Sequence, residues 1–282
     1  MRYVVAVSGG VDSMVLLDQL YRQGQYELVV AHFDHGIRPD SAADARFVEA
    51  TARTYGLPFV SEREELGPGA SEEKARRVRY EFLQRVAQEY GAEIMTAHHA
   101  DDVIETIALN LQRGTGWRGL SVLDRSSVVR PLLSRTKQQL YEYALEHRLE
   151  WVEDSTNSED AYTRNRLRRR IARSLSFEQH QALMALWRRQ RELKRAIDRE
   201  VSLLTTSGQE QSRYDFTMMD EVSAYEVLRA VIMRAGGPSP LRTQAERALI
   251  AIKTARPGSL CDVGDGTRLR FTRRTFVVER YS

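Results

Sequence analysis

The sequence predicts an α/β protein. It has a doubly wound, mostly parallel sheet, followed by a long linker helix and a smaller C-terminal α+β domain. Three observations predict this. From residue 4 to residue 147, short apolar runs alternate with longer amphipathic stretches at helical spacing, the pattern of strands covered on both faces by helices. The first apolar run goes straight into a Gly-Gly turn and then a helix. Past Trp151 the alternation stops, and an arginine-rich run, a long charged helix and several short strands follow. The expected divisions are a catalytic domain over 1–175, a linker helix over 176–212 and a small domain over 213–282.

The elements read in order as follows. Val4, Val5, Ala6 and Val7 form the first strand, and Ser8-Gly9-Gly10-Val11-Asp12-Ser13 turns into a helix ending near Gly24. The glycines permit a tight turn whose backbone approaches a ligand, and the helix aims its N–H groups and positive dipole end at that turn. Such a turn is a nest for an anion, and a phosphate fits it best. Ser8 and Ser13 add hydroxyls. Asp12 would repel a bare phosphate, so a metal ion or a capping role suits it better. An ordinary strand-to-helix turn can also contain two glycines. The run is neither GxxxxGK[ST] nor GxGxxG, so the P-loop and dinucleotide fingerprints do not apply.

Residues 27–33 read as the second strand, ending in His32-Phe33-Asp34-His35-Gly36-Ile37-Arg38. Ligands bind beyond the carboxyl ends of parallel strands, so this polar cluster shares an edge with the glycine turn. A helix over 41–55, a short strand near Phe59 and a helix over 71–90 capped by Ser71 come next. Residues 93–97 form a third core strand, leading into His98-His99-Ala100-Asp101-Asp102 and a helix through Leu111. A strand over 128–132 and a helix over 134–147 complete the first domain. Residues 177–204 read as one long helix. Helices at 221–234 and 243–254 and strands near Leu260, Leu269 and Val277 build the last unit.

Composition narrows the function. A hydrophobic content of 42% fills a core in a chain of 282 residues. No run approaches the ~18 apolar residues of a membrane span. No charged-then-apolar leader is seen, and the lone cysteine, Cys261, excludes an internal disulfide and a cysteine zinc cluster. A cytoplasmic location is expected. Net charge is only +3, but residues 164–173 hold six arginines and no acid. A solvated helix face is one reading of that run, and a phosphate-binding patch is the other.

SGGVDS resembles the loop of the ATP pyrophosphatase (PP-loop) enzymes, which cleave ATP between the α- and β-phosphates and adenylylate a substrate oxygen. Read together, SGGVDS, HFDHGIR (32–38), ARRVRY (75–80), TAHHADDVIET (96–106), Asn110 with Arg113-Gly114, WRGL (117–120), RPLL (130–133) and DSTN with RNRLR (154–168) resemble tRNA(Ile)-lysidine synthetase, over about the first 170 residues. The resemblance implies an adenine nucleotide α-hydrolase-like fold. It implies ATP-dependent ligation of L-lysine to C2 of the wobble cytidine of a CAU-anticodon isoleucine tRNA, through an adenylated cytidine. Longer members carry a further C-terminal domain, which a chain of this length is expected to lack.

The residue chemistry agrees with that. The ε-amine of lysine has an ordinary pKa near ~10.4, so it needs an anionic cradle and a base. Asp102 and Glu105, three apart on one helix face, are expected to hold the lysine, and Asp34 to orient or deprotonate its amine. Arg79, Arg113 and Arg118 are candidates to pair with phosphate and developing negative charge, and the resemblance favours Arg79 and Arg113. The other reading of Arg76, Arg77 and Arg79 is a helix surface paired with Glu72, Glu73 and Glu81, and it suits Arg76 and Arg77 better than Arg79. Ser8, Gly9, Gly10, Val11, Asp12 and Ser13 form the ATP loop. Mg²⁺ is expected with ATP, with Asp12 as the carboxylate nearest to it. Adjacent histidines diverge on most backbones and no HxxxH or CxxC accompanies His98 and His99, so a structural or substrate-polarising role is expected rather than zinc. Arg164, Arg166, Arg168, Arg169 and Arg170 are expected to contact the tRNA backbone, and Arg268, Arg270, Arg273 and Arg274 its body. The sequence leaves a homodimer open. The rival readings are a tRNA thiolase, for which Cys261 alone supplies no sulfur carrier, and a non-catalytic adenine-nucleotide sensor.

Overall fold

A computed structural model describes the chain except residues 37–40, 68–70, 125–126, 154–174, 206–209 and 282, and the side chain of residue 72. Two compact units result, Met1–Arg191 and Glu192–Ser282.

The first unit is built on five strands, β1 (Arg2–Ala6), β2 (Glu27–Asp34), β3 (Phe59–Arg63), β4 (Glu93–Met95) and β5 (Val128–Val129), all pairing in parallel in the order β3-β2-β1-β4-β5. The doubly wound sheet predicted by the sequence is therefore present. Alternation along β1 shows how its two faces are used. Tyr3, Val5 and Val7 pack with α1 (Val11–Gln23), α2 (Ser41–Thr54) and α5 (Lys137–Glu146). Val4 packs on the other face, against Tyr80, Leu83 and Val86 of α3 (Glu72–Glu89). A strand buried on both sides must be apolar throughout, and Val4 and Val5 are fully buried. Strand order reverses beside β1, because β2 and β3 extend to one side and β4 and β5 to the other. That reversal opens a crevice at the carboxyl ends of β1 and β4, where ligands bind in open α/β sheets.

α4 (Ala100–Gln112) leaves β4, and its Val103, Ile104 and Ile107 form a further core with Val122, Leu133, Met184 and Trp187. Met184 and Trp187 come from the first half of α6 (Phe177–Leu204), whose bounds match the sequence prediction.

Three edges differ from prediction. β4 stops at Met95 and β5 spans only Val128–Val129, after which Arg130 and Pro131 start a 3-10 turn over Pro131–Ser134. Proline has no N–H to continue a ladder. α5 begins at Lys137 because Thr136 caps it, accepting from the Gln139 N–H while the Gln139 side chain accepts from the Thr136 N–H.

The second unit has an antiparallel sheet in the order β6-β9-β8-β7, from β6 (Glu210–Ser212), β7 (Leu260–Gly264), β8 (Thr267–Phe271) and β9 (Thr275–Arg280). Helices α7 (Arg213–Met218), α8 (Glu221–Arg234) and α9 (Arg242–Thr254) accompany it. Phe216, Leu228, Ile232, Ile252, Leu269, Phe271 and Phe276 are its core, joined by Ile197 and Val201 from the second half of α6.

Candidate active site

The loop between β1 and α1 has the shape its glycines predict. Gly9 has φ +90, a conformation that side chains rarely adopt. Its carbonyl accepts from the Val152 N–H at 2.9 Å. Gly10 is the N-cap of α1 without a side-chain cap. The Ser13 hydroxyl donates to the Gly10 carbonyl at 2.9 Å and accepts from the Ser8 N–H at 3.1 Å. Ser13, buried, thus spends its proton bracing the loop, while Ser8 is exposed at its mouth. β2 is fixed to the same loop by His32, whose Nδ1 lies 2.9 Å from the Val7 carbonyl oxygen.

The loop carboxylate Asp12 meets a cation that the sequence did not point to. Lys137, the first residue of α5, places Nζ 2.7 Å from both Asp12 oxygens. The Lys137 N–H also donates to Asp101 at 2.7 Å, and the Ala100 N–H to the Arg135 carbonyl at 2.8 Å. These bonds bring the beginnings of α4 and α5 together beside the beginning of α1.

His99, the N-cap of α4, lies at the centre. Its Nε2 is 3.7 Å from Asp12 and 3.6 Å from Asp102, and its Nδ1 is 3.4 Å from Asp101. Burial, the largest influence, works to lower its pKa. Asp101 at 3.4 Å and the charges of Asp102 and Asp12 outweigh it and hold the imidazole above its ordinary value. Asp101 moves the other way, to about 2: burial would raise it, but His99, the Lys137 N–H and His180 of α6 favour the anion. Asp102 accepts from the His99 N–H at 2.9 Å, so one of its oxygens caps the helix as it faces the site. Glu105, one turn on, is buried at 2% exposure.

His98 points elsewhere, as expected for adjacent histidines. Its Nδ1 lies 2.8 Å from Thr96 Oγ1. Burial, reinforced by Arg130, Arg79 and Arg76 against the opposing Asp102, lowers its pKa to about 3, so it is neutral at physiological pH. His35, at the end of β2, is lowered to about 4 by burial and by Arg79, against the pull of Asp34. Arg79 is thus felt at the tips of both β2 and β4, and with Arg76 it packs over the Tyr80 ring. Arg77 is on the outer surface, 3.9 Å from Glu81. Arg130 is buried and donates to the carbonyls of Leu123 and Val128.

The remaining predicted residues are placed as follows. Asp34 is 6% exposed and accepts from the Gly36 N–H at 2.9 Å and the Ser41 hydroxyl at 3.0 Å, with Arg63 at 3.4 Å. Arg113 is exposed at the C-cap of α4, some ~16 Å along the helix axis from Asp102. Arg118 lies over the Trp117 ring in a 3-10 turn (Trp117–Leu120), tethered by Asn110 donating to the Gly119 carbonyl at 2.8 Å. Arg38, the DSTN run and Arg164, Arg166, Arg168, Arg169 and Arg170 lie outside the described residues. The structure therefore brings Asp12, Asp102 and, through Arg79, the end of β2 toward one edge, and it leaves Arg113 apart. Lys137 and His180 were invisible in the sequence because no motif holds them.

A parallel sheet with an anion-accepting glycine loop at its switch point, ringed by carboxylates and arginines, defines a nucleotide-binding α/β domain. The chain belongs to the PP-loop domain family, an ATP-binding family whose profile matches residues 1–175. It is 46% identical over 173 residues to a tRNA(Ile)-lysidine synthase of Thermus thermophilus, covering 58% of this chain and 34% of that protein. It is 41% identical over 184 residues to a protein of the same name from Geobacter sulfurreducens, covering 60% and 39%. The chain thus spans little more than a third of the length of these relatives. In fold it is similar to a U34-tRNA thiolase of Methanococcus maripaludis, with a TM-score of 0.55 and 17% identity, covering 68% of this chain and 72% of that one. Among the described residues no helix is long and apolar enough to cross a membrane.

Proposed function

We propose that this chain ligates L-lysine to the wobble cytidine of a CAU-anticodon isoleucine tRNA in the cytoplasm. The cytidine O2 attacks the α-phosphorus of ATP and pyrophosphate leaves. The lysine ε-amine then attacks C2, and AMP departs with the former O2. One observation carries the reading: Asp12 of the loop and Asp102 of α4 face the same nitrogen of His99. In this reading nucleotide and amine have their charged partners in one site. Likeness to proteins named for this reaction supports it.

In this reading Asp102 and Glu105 hold the lysine ammonium, Asp34 orients the amine or takes its proton, and Arg79 stabilises the anionic cytidine adenylate. Arg113, at the exposed end of α4, meets the tRNA rather than the phosphate loop. Arg164, Arg166, Arg168, Arg169 and Arg170 track the tRNA backbone. Mg²⁺ takes one or two protein carboxylates together with substrate phosphates, and Asp12 fits that demand. When bound, it neutralises the departing pyrophosphate. Among the described residues no group of three or more His, Cys, Asp or Glu is placed to hold a metal ion.

Incubation with ATP, lysine and a CAU-anticodon tRNA transcript, omitting each in turn, tests the reading. AMP formation that requires all three is expected. Turnover that requires a sulfur donor instead would mark a thiolase, and nucleotide binding without AMP release a sensor.

A further inference from the structure

Lys137 is absent from every motif in the sequence, yet its ammonium sits directly on the carboxylate of the phosphate loop. Its backbone is anchored, because its N–H is bonded to Asp101 and the α5 cap begins one residue earlier. Only the side chain is free to move. Its ammonium lies 2.7 Å from both oxygens of Asp12, in the first turn of the helix that follows the glycines. Nζ also lies over the Tyr141 ring, 5.1 Å from its centre.

Another ion pair of α1 shows what a purely structural one looks like here. Asp18 is 1% exposed and is closed in by Arg22 at 2.7 Å and by the hydroxyls of Tyr55 and Tyr143, each at 2.8 Å. The Lys137–Asp12 pair instead keeps 37% and 28% of its side chains in solvent at the mouth of the loop. A partly solvated pair of this kind is weak, so it constrains the cation little. Around it, Asp12, Asp101 and Asp102 make a field that opposes an incoming polyphosphate. The loop amides and the partial charge of one helix end do not neutralise several phosphate charges. A mobile ammonium next to the loop adds a full positive charge to them.

We propose that Lys137 is a phosphate-binding residue of the nucleotide site, supplied by α5 rather than by the loop, and that its ammonium exchanges Asp12 for a phosphoryl oxygen when ATP enters. The proposal rests on the nucleotide-binding reading of the loop but not on the tRNA chemistry. Calorimetric titration of the full chain with α,β-methylene-ATP and Mg²⁺, and separately with adenosine, tests it in wild type, Lys137→Met and Lys137→Arg, with melting temperatures alongside. Lys137→Met should bind the ATP analogue more than tenfold more weakly and adenosine unchanged, while Lys137→Arg should stay within about threefold of wild type. Equal binding of the ATP analogue by wild type and Lys137→Met overturns the proposal. So does parallel loss of both ligands, which would make Lys137 a brace for the loop. If wild type itself fails to bind the ATP analogue, the nucleotide reading falls first and this one with it.

Discussion

His98 and His99 are neighbours with opposite electrostatics, and each shift has a sign that pH can read. The fold refuses a proton at His98, whose pKa falls to about 3. Below the ordinary histidine value the unfolded chain binds a proton that the folded chain does not. Stability is then lost as pH falls, at about 1.4 kcal/mol per pH unit for one such group. His99 works the other way. Its raised pKa gives stability that is present below the unfolded value and is lost as pH rises through the folded one. Denaturant unfolding of His98→Asn at pH 7.0, 5.5 and 4.5 should show a shallower acid decline than wild type, and an identical decline would mean that this imidazole is solvated. Asp102 has two tasks, as cap and as proposed lysine ligand. Asp102→Asn keeps an oxygen for the His99 N–H, so its melting temperature should hold while KM for lysine rises at least tenfold. Asp102→Ala should also lose about 1 kcal/mol of stability. An unchanged lysine KM in Asp102→Asn would remove the residue from the binding site. At this scale the sequence singles out Asp102 and Glu105 because they lie within one motif. It could not show Lys137, which lies 125 positions from the aspartate it touches.

The strand–loop–helix unit was the most legible element, because each feature is local: four apolar residues, two glycines, then an amphipathic stretch. Its fine structure was less legible. The sequence gives Ser13 a hydroxyl for the phosphate loop, and the fold shows that hydroxyl donating to the Gly10 carbonyl. Only the backbone path shows that a donor is already engaged. Gly9→Ala places a Cβ in ordinary contact with Val48 and Val152, so its cost comes from φ +90. A loss of about 1–3 kcal/mol is expected, with weakened ATP binding. β5 was over-read because the apolar pattern of 128–133 continues through a proline turn, which hydrophobicity alone cannot distinguish from a strand. The short helix Arg213–Met218 was missed because six residues give too little period to read. α6 was read to the residue, since a long amphipathic helix repeats its signal. Its Trp187 is 3% exposed and donates Nε1–H to the Val122 carbonyl at 3.0 Å. Trp187→Ala should cost about 3–5 kcal/mol, and Trp187→Phe about 1 kcal/mol for the hydrogen bond, both measured by urea unfolding.

For the whole molecule, the question is which positive charges are available to a polyanion when the chain carries only +3 overall. Ion pairing sorts them. In the second unit Arg268 and Arg270 both bond to Glu279, which spends their charge on β8–β9 pairing. Arg273 and Arg274, in the turn between those strands, are exposed. The Arg164–Arg173 run has no acid within it, so local neutralisation from its own sequence is ruled out. tRNA binding should therefore respond unequally. Replacing Arg168, Arg169 and Arg170 with Gln should weaken it and flatten the slope of log Kobs against log salt by ~0.7–0.9 for each phosphate that the protein no longer neutralises. Arg273→Gln with Arg274→Gln should flatten the slope as well. Arg268→Gln should lower the melting temperature and leave the slope as in wild type, because a charge already held by a glutamate releases no counterion from tRNA. Filter binding between 50 and 200 mM salt separates these outcomes. A slope unmoved by the triple substitution, with only the melting temperature lowered, would return that arginine run to a structural role and leave Arg273 and Arg274 as the remaining proposed tRNA contacts.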